Sequence, residues 1–197
     1  MKHINVGVIG ASGYTGLELV KILIKHPHFN LSYVANSEGD TSIAALHPSL
    51  SGVCDLKVQK ADVDAASASC ELVFLALPHK TAMAYVKPLL TNGTKVVDLS
   101  ADYRLPLDIY EAFYTDHTDV ANLEHVVYGL PEMFKEELKS AKLVANPGCF
   151  PTSAILGLLP FMDKRVPHTP IIVDAKTGVS GAGKKLSDVT HFVNVND

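Results

Sequence analysis

The chain has 197 residues, of which 47% are hydrophobic and 19% charged, and its net charge is −4. This composition is typical of a globular protein with a buried core, and the negative balance argues against a surface for nucleic acid or anionic membrane. No apolar run reaches the roughly 20 residues that span a bilayer, and the N-terminus leads into a strand rather than a signal peptide. The three cysteines lack metal-ligand spacing, so we expect free thiols, no metal and a reducing, cytoplasmic location.

The first predicted element is an apolar strand over residues 3–9, followed by a glycine-rich loop and a helix over about 17–26. In this loop Gly10 permits a tight turn, Gly13 lets the backbone approach a pyrophosphate, and Gly16 lets the helix pack on the strand. Ser12 and Thr15 can add hydroxyl donors to the helix N-terminus. We therefore predict a dinucleotide site formed by Gly10, Ser12, Gly13, Tyr14, Thr15 and Gly16. The spacing G-x-x-G-x-x-G departs from the commoner G-x-G-x-x-G, and an ordinary βα turn is the alternative.

Strand and helix signals then alternate along the chain. The run 72–77 is apolar throughout, as expected for a strand covered on both faces. The other predicted elements are strands at 31–35, 56–59, 95–100 and 142–145, helices at 81–90 and 131–141, and a polar loop at 36–51. Strands separated by helices predict an α/β fold with a doubly wound parallel sheet, whose ligands bind at the carboxyl ends of the strands.

One cysteine lies at a predicted helix start. The sequence NPGCFPT of residues 146–152 places Cys149 after a Pro-Gly turn, and Pro151 can open an apolar helix over 153–162. Free N–H groups and the positive helix end favour the thiolate, which is the nucleophilic form. Cys70, which precedes an apolar strand, is expected in the core and Cys54 in a loop, and neither has a helix start beside it. The alternative for Cys149 is a structural cysteine without chemistry.

Six segments in order along the chain resemble one family. They are the glycine loop, LPH at residues 77–79, VDLSADYRL at 97–105, YGLPE at 128–132, the Cys149 turn and GVSGAG at 178–183. The chain is similar in all six to the N-acetyl-γ-glutamyl-phosphate reductases, NADP-dependent oxidoreductases of arginine and hence amino-acid biosynthesis. Aspartate-semialdehyde dehydrogenases share the glycine loop and a thiol nucleophile, but lack the Pro-Gly-Cys-x-Pro pattern and the segment from Asp98 to Leu105.

The resemblance implies a reaction and a set of site residues. The Cys149 thiolate attacks the acyl phosphate, phosphate leaves, and the thioester intermediate accepts hydride from NADPH. The residues assigned to cofactor binding besides the glycine loop are Ser37, Pro78, Ser180 and Gly181. Arg104 and Asn146 are assigned to the small-molecule substrate, because the planar fork of Arg104 suits a phosphate or carboxylate. The alternative for Arg104 is an ion pair with Asp102 or Asp108.

The cofactor preference depends on the end of the second strand. That strand ends without an acid, which argues against the ribose acceptor of an NAD site, and Ser37 can donate to the 2′-phosphate of NADP. Glu38 would repel that phosphate if it points inward. NADP is therefore the predicted cofactor.

The resemblance also implies a domain organisation. It predicts a Rossmann NADP-binding domain over 1–147 and the start of an α+β catalytic and dimerisation domain over 148–197, with a homo-oligomer at full length. Family members run well beyond this length, and the histidine that acts as their acid/base lies beyond Asp197. Neither His79 nor His191 obviously takes the role of that histidine. Other hypotheses are a dinucleotide-binding module without turnover, an aspartate-semialdehyde-dehydrogenase-like reductase, and a cysteine hydrolase, which would leave the glycine loop without a role.

Overall fold

A computed structural model describes residues 3–162, 170–185 and 187–191 of the chain. The chain divides into two compact units, Met1–Gly148 and Cys149–Asp197. The predicted domains, 1–147 and 148–197, place their boundary close to this division, and we retain them as a proposal.

The first unit contains one sheet of eight strands. They are β1 Ile4–Ile9, β2 Phe29–Asn36, β3 Thr41–Ser42, β4 Lys57–Lys60, β5 Leu72–Leu75, β6 Lys95–Asp98, β7 Val126–Tyr128 and β8 Leu143–Ala145. Their order across the sheet is β3-β4-β2-β1-β5-β6-β8-β7. Among the described strand pairs, only β3 and β4 run antiparallel. The predicted doubly wound parallel sheet is confirmed.

Helices follow most of the strands. In the first unit they are α1 Tyr14–Leu23, α2 Ile43–Leu46, α3 Val63–Ser69, α4 Met83–Thr91, α5 Leu107–Phe113, α6 Val120–Leu123 and α7 Pro131–Ser140. The second unit contains α8 Cys149–Met162 and the 3₁₀ turns Val179–Ala182 and Asp188–Thr190. No helix within the described ranges is both long and apolar enough to cross a lipid bilayer.

Two helices that the sequence did not predict begin at side-chain caps. The predicted polar loop 36–51 contains β3, α2 and a 3₁₀ turn at Pro48–Leu50. The Ser42 hydroxyl accepts from the Ala45 N–H at 3.1 Å, and the neighbouring Ile43 is fully buried. Helix α3, which the sequence reading missed, begins at a cap in which the Asp62 carboxylate accepts from the Ala65 N–H at 2.8 Å.

Apolar side chains cover both faces of the sheet. Val6 and Val8 of β1 belong to a cluster that includes residues of α1, whereas Val73 and Leu75 of β5 belong to a second cluster with residues of α4. This confirms that the run 72–77 supplies a strand covered on both sides, although the strand ends at Leu75. Strand β1 lies between β2 and β5, so later strands are added on both sides of it and this position is the switch point of the sheet. In such sheets the crevice beyond the carboxyl ends at this position binds the ligand.

Candidate functional site

The glycine loop lies at the carboxyl end of β1 and can only be built with glycine at two positions. Gly10 has φ +92°, and a Cβ there would lie 2.2 Å from the Ala76 carbonyl oxygen. A Cβ on Gly16 would lie 2.4 Å from the Gly10 carbonyl oxygen. These contacts confirm the predicted tight turn at Gly10 and the close packing of the helix at Gly16.

The start of α1 is open to an anion. Gly13 precedes the helix without a side-chain cap, and the first turn carries no acidic residue. A Cβ on Gly13 would have one neighbour within 4 Å, the Gly10 carbonyl oxygen at 3.9 Å. Ser12 is half-buried, while Tyr14 and Thr15 are exposed. The N–H groups of a first helical turn have no intrahelical acceptor, so this end of α1 has donors to offer a phosphate.

A buried histidine forms a hydrogen bond to the backbone of the glycine loop. His47 is 5% exposed, and its Nε2 donates to the Ala11 carbonyl oxygen at 2.7 Å. The N–H groups of Gly10 and Ala11 both donate to the Ala35 carbonyl oxygen, at 2.9 and 3.0 Å. The loop conformation is therefore fixed by β2 and by His47. Sequence reasoning missed His47, because nothing in its neighbours marks it except the following Pro48.

A tight turn after β2 carries Ser37, the residue predicted to bind the 2′-phosphate of NADP. The buried Asn36 side chain accepts from the N–H groups of Glu38 and Gly39 at 3.0 and 2.7 Å. Ser37 and Glu38 are both exposed at this edge of the sheet. Asn36, which the sequence analysis did not single out, thus shapes the turn that carries Ser37.

The segment after β6 forms a buried polar network. Asp98 is fully buried, and its carboxylate accepts from the Ser100 N–H at 3.0 Å and the Ser100 hydroxyl at 2.7 Å. Burial raises the pKa of Asp98 to about 6, with a further contribution from Asp102, while the Ser100 hydrogen bonds and Arg104 act to lower it. Asp98 is therefore a buried carboxyl that binds its proton more tightly than an exposed one.

A second buried carboxylate, Asp102, holds the loop that follows β5. It accepts from the N–H groups of Lys80 at 2.7 Å and Ala82 at 3.0 Å, and from the Tyr110 hydroxyl at 3.0 Å. Burial, followed by the hydrogen bond to Asp102, raises the pKa of Tyr110, so this phenol remains a donor at neutral pH. Asp102 thus links the ends of β5 and β6.

Both predicted substrate-binding residues meet beside this network. Arg104 Nε donates to the Asn146 carbonyl oxygen at 2.7 Å, and its Nη2 donates to the Leu99 carbonyl oxygen at 2.6 Å. In the described part of the chain Arg104 forms no ion pair with Asp102 or Asp108. The two carbonyls orient the guanidinium, and the remaining Nη1 can donate to an anion.

The second unit begins with the predicted nucleophile. Helix α8 starts at Cys149, four residues earlier than the predicted 153, so Pro151 lies within its first turn. The thiol is free and exposed. Cys54 and Cys70 are buried free thiols, and burial raises the pKa of Cys70. Cys70 is in the core as predicted, and Cys54 lies in a loop but is buried.

The remaining predicted cofactor residues are exposed. Pro78 follows β5 at the carboxyl edge of the sheet in the first unit. Ser180 and Gly181 belong to the 3₁₀ turn of the second unit, where the Gly181 N–H donates to the Gly178 carbonyl oxygen at 3.0 Å. Their roles in cofactor binding stay predictions.

A glycine loop at the switch point of a doubly wound parallel sheet is typical of the nucleotide-binding domain of a dehydrogenase. Residues 5–141 match the family model of the semialdehyde dehydrogenase NAD-binding domain, and residues 149–197 match the model of the semialdehyde dehydrogenase dimerisation domain. The chain belongs to the semialdehyde dehydrogenase family.

Two relatives that share one name match all or nearly all of the chain. A protein of Sulfurimonas denitrificans named N-acetyl-gamma-glutamyl-phosphate reductase is 74% identical over 197 residues, which are 100% of this chain and 59% of that protein. One of the same name from Sulfurovum sp. strain NBC37-1 is 62% identical over 194 residues, which are 98% of this chain and 58% of that protein. The chain thus spans slightly less than three fifths of the length of these relatives.

Solved structures share the fold at low sequence identity. Aspartate semialdehyde dehydrogenase II of Vibrio cholerae matches with a TM-score of 0.62 and 14% identity, over 93% of this chain and 49% of that one. The aspartate semialdehyde dehydrogenase of Candida albicans, solved with NADP, matches with a TM-score of 0.63 and 19% identity, over 84% of this chain and 48% of that one. These matches support the fold assignment.

Proposed function

We propose that this chain supplies the NADP-binding unit and the nucleophile of an N-acetyl-γ-glutamyl-phosphate reductase. The enzyme reduces N-acetyl-γ-glutamyl phosphate to N-acetylglutamate semialdehyde and phosphate. The observation that carries the proposal is the 74% identity to a relative of that name over all 197 residues. The six motifs shared with the family are consistent with it.

The residues of the glycine loop fit a dinucleotide. The space over Gly13 is open, whereas a Cβ on Gly10 would collide with the Ala76 carbonyl and one on Gly16 with the backbone of Gly10 and Ala11. The pyrophosphate would be held by the first N–H groups of α1, with Ser12 and Thr15 adding hydroxyls. Ser37 at the end of β2 would hold the 2′-phosphate. When bound, NADPH supplies the hydride for the reduction.

The covalent chemistry belongs to Cys149. Its sulfur forms a bond to the acyl carbon as the carbon–oxygen bond to phosphate breaks, and phosphate leaves with the electron pair of that bond. N–H groups in the first turn of α8 can donate to the oxyanion that develops on the acyl oxygen. After reduction of the thioester, the carbon–sulfur bond breaks and the thiolate returns.

Arg104 gives the substrate site its positive charge. The Asn146 and Leu99 carbonyls fix the Nε and Nη2 of its guanidinium, so Nη1 can donate to the phosphate or carboxylate of the substrate. Asn146 is the residue from which the chain turns towards Cys149, three residues later. Loss of the Arg104 side chain would therefore remove substrate affinity and also loosen this turn.

The assembly and location follow from the same proposal. The match of residues 149–197 to a dimerisation-domain model supports a homo-oligomer. Three free thiols suit the reducing cytoplasm, where amino-acid biosynthesis takes place.

The reverse reaction tests the proposal. In a protein that carries these 197 residues at the full length of its relatives, N-acetylglutamate semialdehyde and inorganic phosphate should reduce NADP, as followed by absorbance of NADPH. Cys149→Ser should lower this rate on the order of 10³-fold or more and leave NADPH affinity within about twofold. Cys54→Ser is the matched control and should leave turnover intact. Faster oxidation of aspartate semialdehyde, or an active Cys149→Ser variant, would contradict the assignment.

A further inference from the structure

The loop between β5 and α4 lies directly beside the glycine loop. The Ala76 N–H donates to the Ile9 carbonyl oxygen at 2.8 Å, and the Ala76 carbonyl oxygen occupies the space that a Cβ on Gly10 would need. Residues 76–82, which we call the β5 loop, therefore border the nucleotide crevice on the side opposite β2.

The β5 loop is held in an unusual backbone conformation. Lys80 has φ +72°, in the left-handed region that residues other than glycine rarely adopt. The buried Asp102 carboxylate fixes this conformation by accepting from the N–H groups of Lys80 and Ala82. Strained backbone that is held in place by its surroundings is concentrated at ligand sites.

His79 occupies the exposed side of this loop with a defined orientation. Its Nδ1 accepts from the Ala101 N–H at 2.9 Å, and its ring meets the Tyr114 ring edge-on, with centroids 5.7 Å apart. Because Nδ1 accepts in this bond, the neutral ring carries its proton on Nε2. Nε2–H has no acceptor among the described residues, and the side chain is exposed.

The topology indicates which part of a dinucleotide reaches His79. With the pyrophosphate at the start of α1, the adenosine ribose lies at the end of β2. The nicotinamide half must then extend across β1 towards β5, where His79 lies. We propose that His79 donates Nε2–H to an oxygen of the nicotinamide half of the bound dinucleotide. This inference rests on the proposed NADP-binding function, and it assigns His79 a contact with the cofactor rather than a structural role.

Two substitutions at this position separate contact from loop support. His79→Asn places Oδ1 where Nδ1 lies, so it can keep the bond from Ala101 but loses the Nε2 donor. His79→Gln carries an amide N–H that reaches the Nε2 position but loses the Nδ1 acceptor. His125→Asn, at an exposed histidine before the edge strand β7, is the matched control.

The experiment is a titration of the 197-residue chain and these variants with NADPH and with adenosine 2′,5′-bisphosphate. We expect His79→Asn to weaken NADPH binding about three- to tenfold, the range for one hydrogen bond, and His79→Gln to stay within about twofold. The bisphosphate, which lacks the nicotinamide half, should bind equally to all four proteins. In ¹⁵N-edited NMR, the His79 imidazole should show the Nε2–H tautomer, and the Nε2 resonance should shift with NADPH but not with the bisphosphate.

Other results would overturn the inference. Unchanged NADPH binding by His79→Asn together with weaker binding by His79→Gln would make the residue a loop support. An equal loss of affinity for NADPH and for the bisphosphate would show that His79 does not contact the nicotinamide half. If the unsubstituted chain failed to bind NADPH at all, the proposed function would fail along with the inference, whereas normal binding by every variant would overturn the inference alone.

Discussion

Two neighbouring regions at the carboxyl edge of the sheet fix their loops by different means. At the end of β1 itself, the glycine loop offers backbone N–H groups, and its conformation requires glycine at Gly10 and Gly16. On the β5 and β6 side, the buried carboxylates of Asp98 and Asp102 hold the loops in place through side-chain hydrogen bonds.

This difference determines how each side responds to substitution. The glycine loop has no room for an added Cβ at Gly10 or Gly16. A loop held by a carboxylate depends on the number of acceptors that its oxygens provide and, at Asp98 with its raised pKa, on pH. Substitutions on the two sides should consequently fail for different physical reasons.

The largest effect is expected on the glycine side. Gly10→Ala would place a Cβ 2.2 Å from the Ala76 carbonyl oxygen at a φ of +92°. Backbone strain and the clash together should lower the free energy of unfolding by at least about 3 kcal/mol, measured by urea denaturation. Gly52→Ala is the control, because Gly52 has φ +71° and a Cβ there would have no neighbour within 4 Å. It should cost about 1–2 kcal/mol. Equal losses at both positions would show that the contact with Ala76 is unimportant.

The next effect tests the pH dependence of the carboxylate side. The folded pKa of Asp98, about 6, exceeds the ordinary value of 3.8, so the folded state binds the proton more tightly than the unfolded state. The stabilisation is complete below the unfolded value and is lost as the pH rises towards and past 6. The Asp98 contribution to the free energy of unfolding should fall by about 3 kcal/mol across this window.

Asp98→Asn supplies the control for this titration. The amide oxygen can still accept from the Ser100 N–H, but the side chain no longer titrates. Thermal unfolding between pH 4 and pH 7 should therefore show a stability that falls with pH in the unsubstituted chain more steeply than in the variant. Parallel pH profiles for the two proteins would show that Asp98 does not titrate in this range.

A somewhat smaller loss is expected at Asp102. Asp102→Asn places an amide donor against the N–H groups of Lys80 or Ala82, so one of them loses its acceptor. This should cost about 2–3 kcal/mol of unfolding free energy, whereas Tyr110→Phe, which removes one donor to the same carboxylate, should cost about 1 kcal/mol. Hydrogen exchange at the Lys80 and Ala82 amides should quicken in Asp102→Asn. Unchanged exchange there would separate Asp102 from the β5 loop.

The smallest effect concerns the support of the glycine loop. His47→Phe removes the hydrogen bond to the Ala11 carbonyl oxygen but keeps an aromatic ring at a buried position. We expect NADPH affinity to fall about three- to tenfold, as for the loss of one hydrogen bond, by fluorescence titration. His28→Phe, at an exposed position, should bind normally. An unaltered affinity in His47→Phe would mean that β2 alone fixes the loop.

The sequence predicted the glycine side better than the carboxylate side. Glycine at a left-handed turn and at a close backbone contact is a local requirement, and the strand before it and the helix after it are visible as apolar patterns. The parallel sheet and a helix after the Cys149 turn were likewise predicted from local signals, although α8 begins at Cys149 and not at the predicted residue 153.

The region of Asp98 and Asp102 was singled out in the sequence only because residues 97–105 resemble a segment of the family. The roles of Asp98 and Asp102 depend on partners that are close in space but distant in sequence, such as Lys80 for Asp102. The same limitation applies to His47, whose acceptor lies 36 residues away along the chain. Side-chain caps such as Ser42 explain why a stretch rich in polar residues contains α2 instead of a loop.

A direct comparison of NADPH and NADH binding tests the central claim that this sheet edge is an NADP site. We expect the chain to bind NADPH about tenfold or more tightly than NADH, because hydrogen bonds to a charged phosphate are stronger than those to a hydroxyl. The difference should shrink in Ser37→Ala, since Ser37 would donate to the 2′-phosphate. Equal or tighter binding of NADH, or no saturable binding of either nucleotide, would contradict that claim.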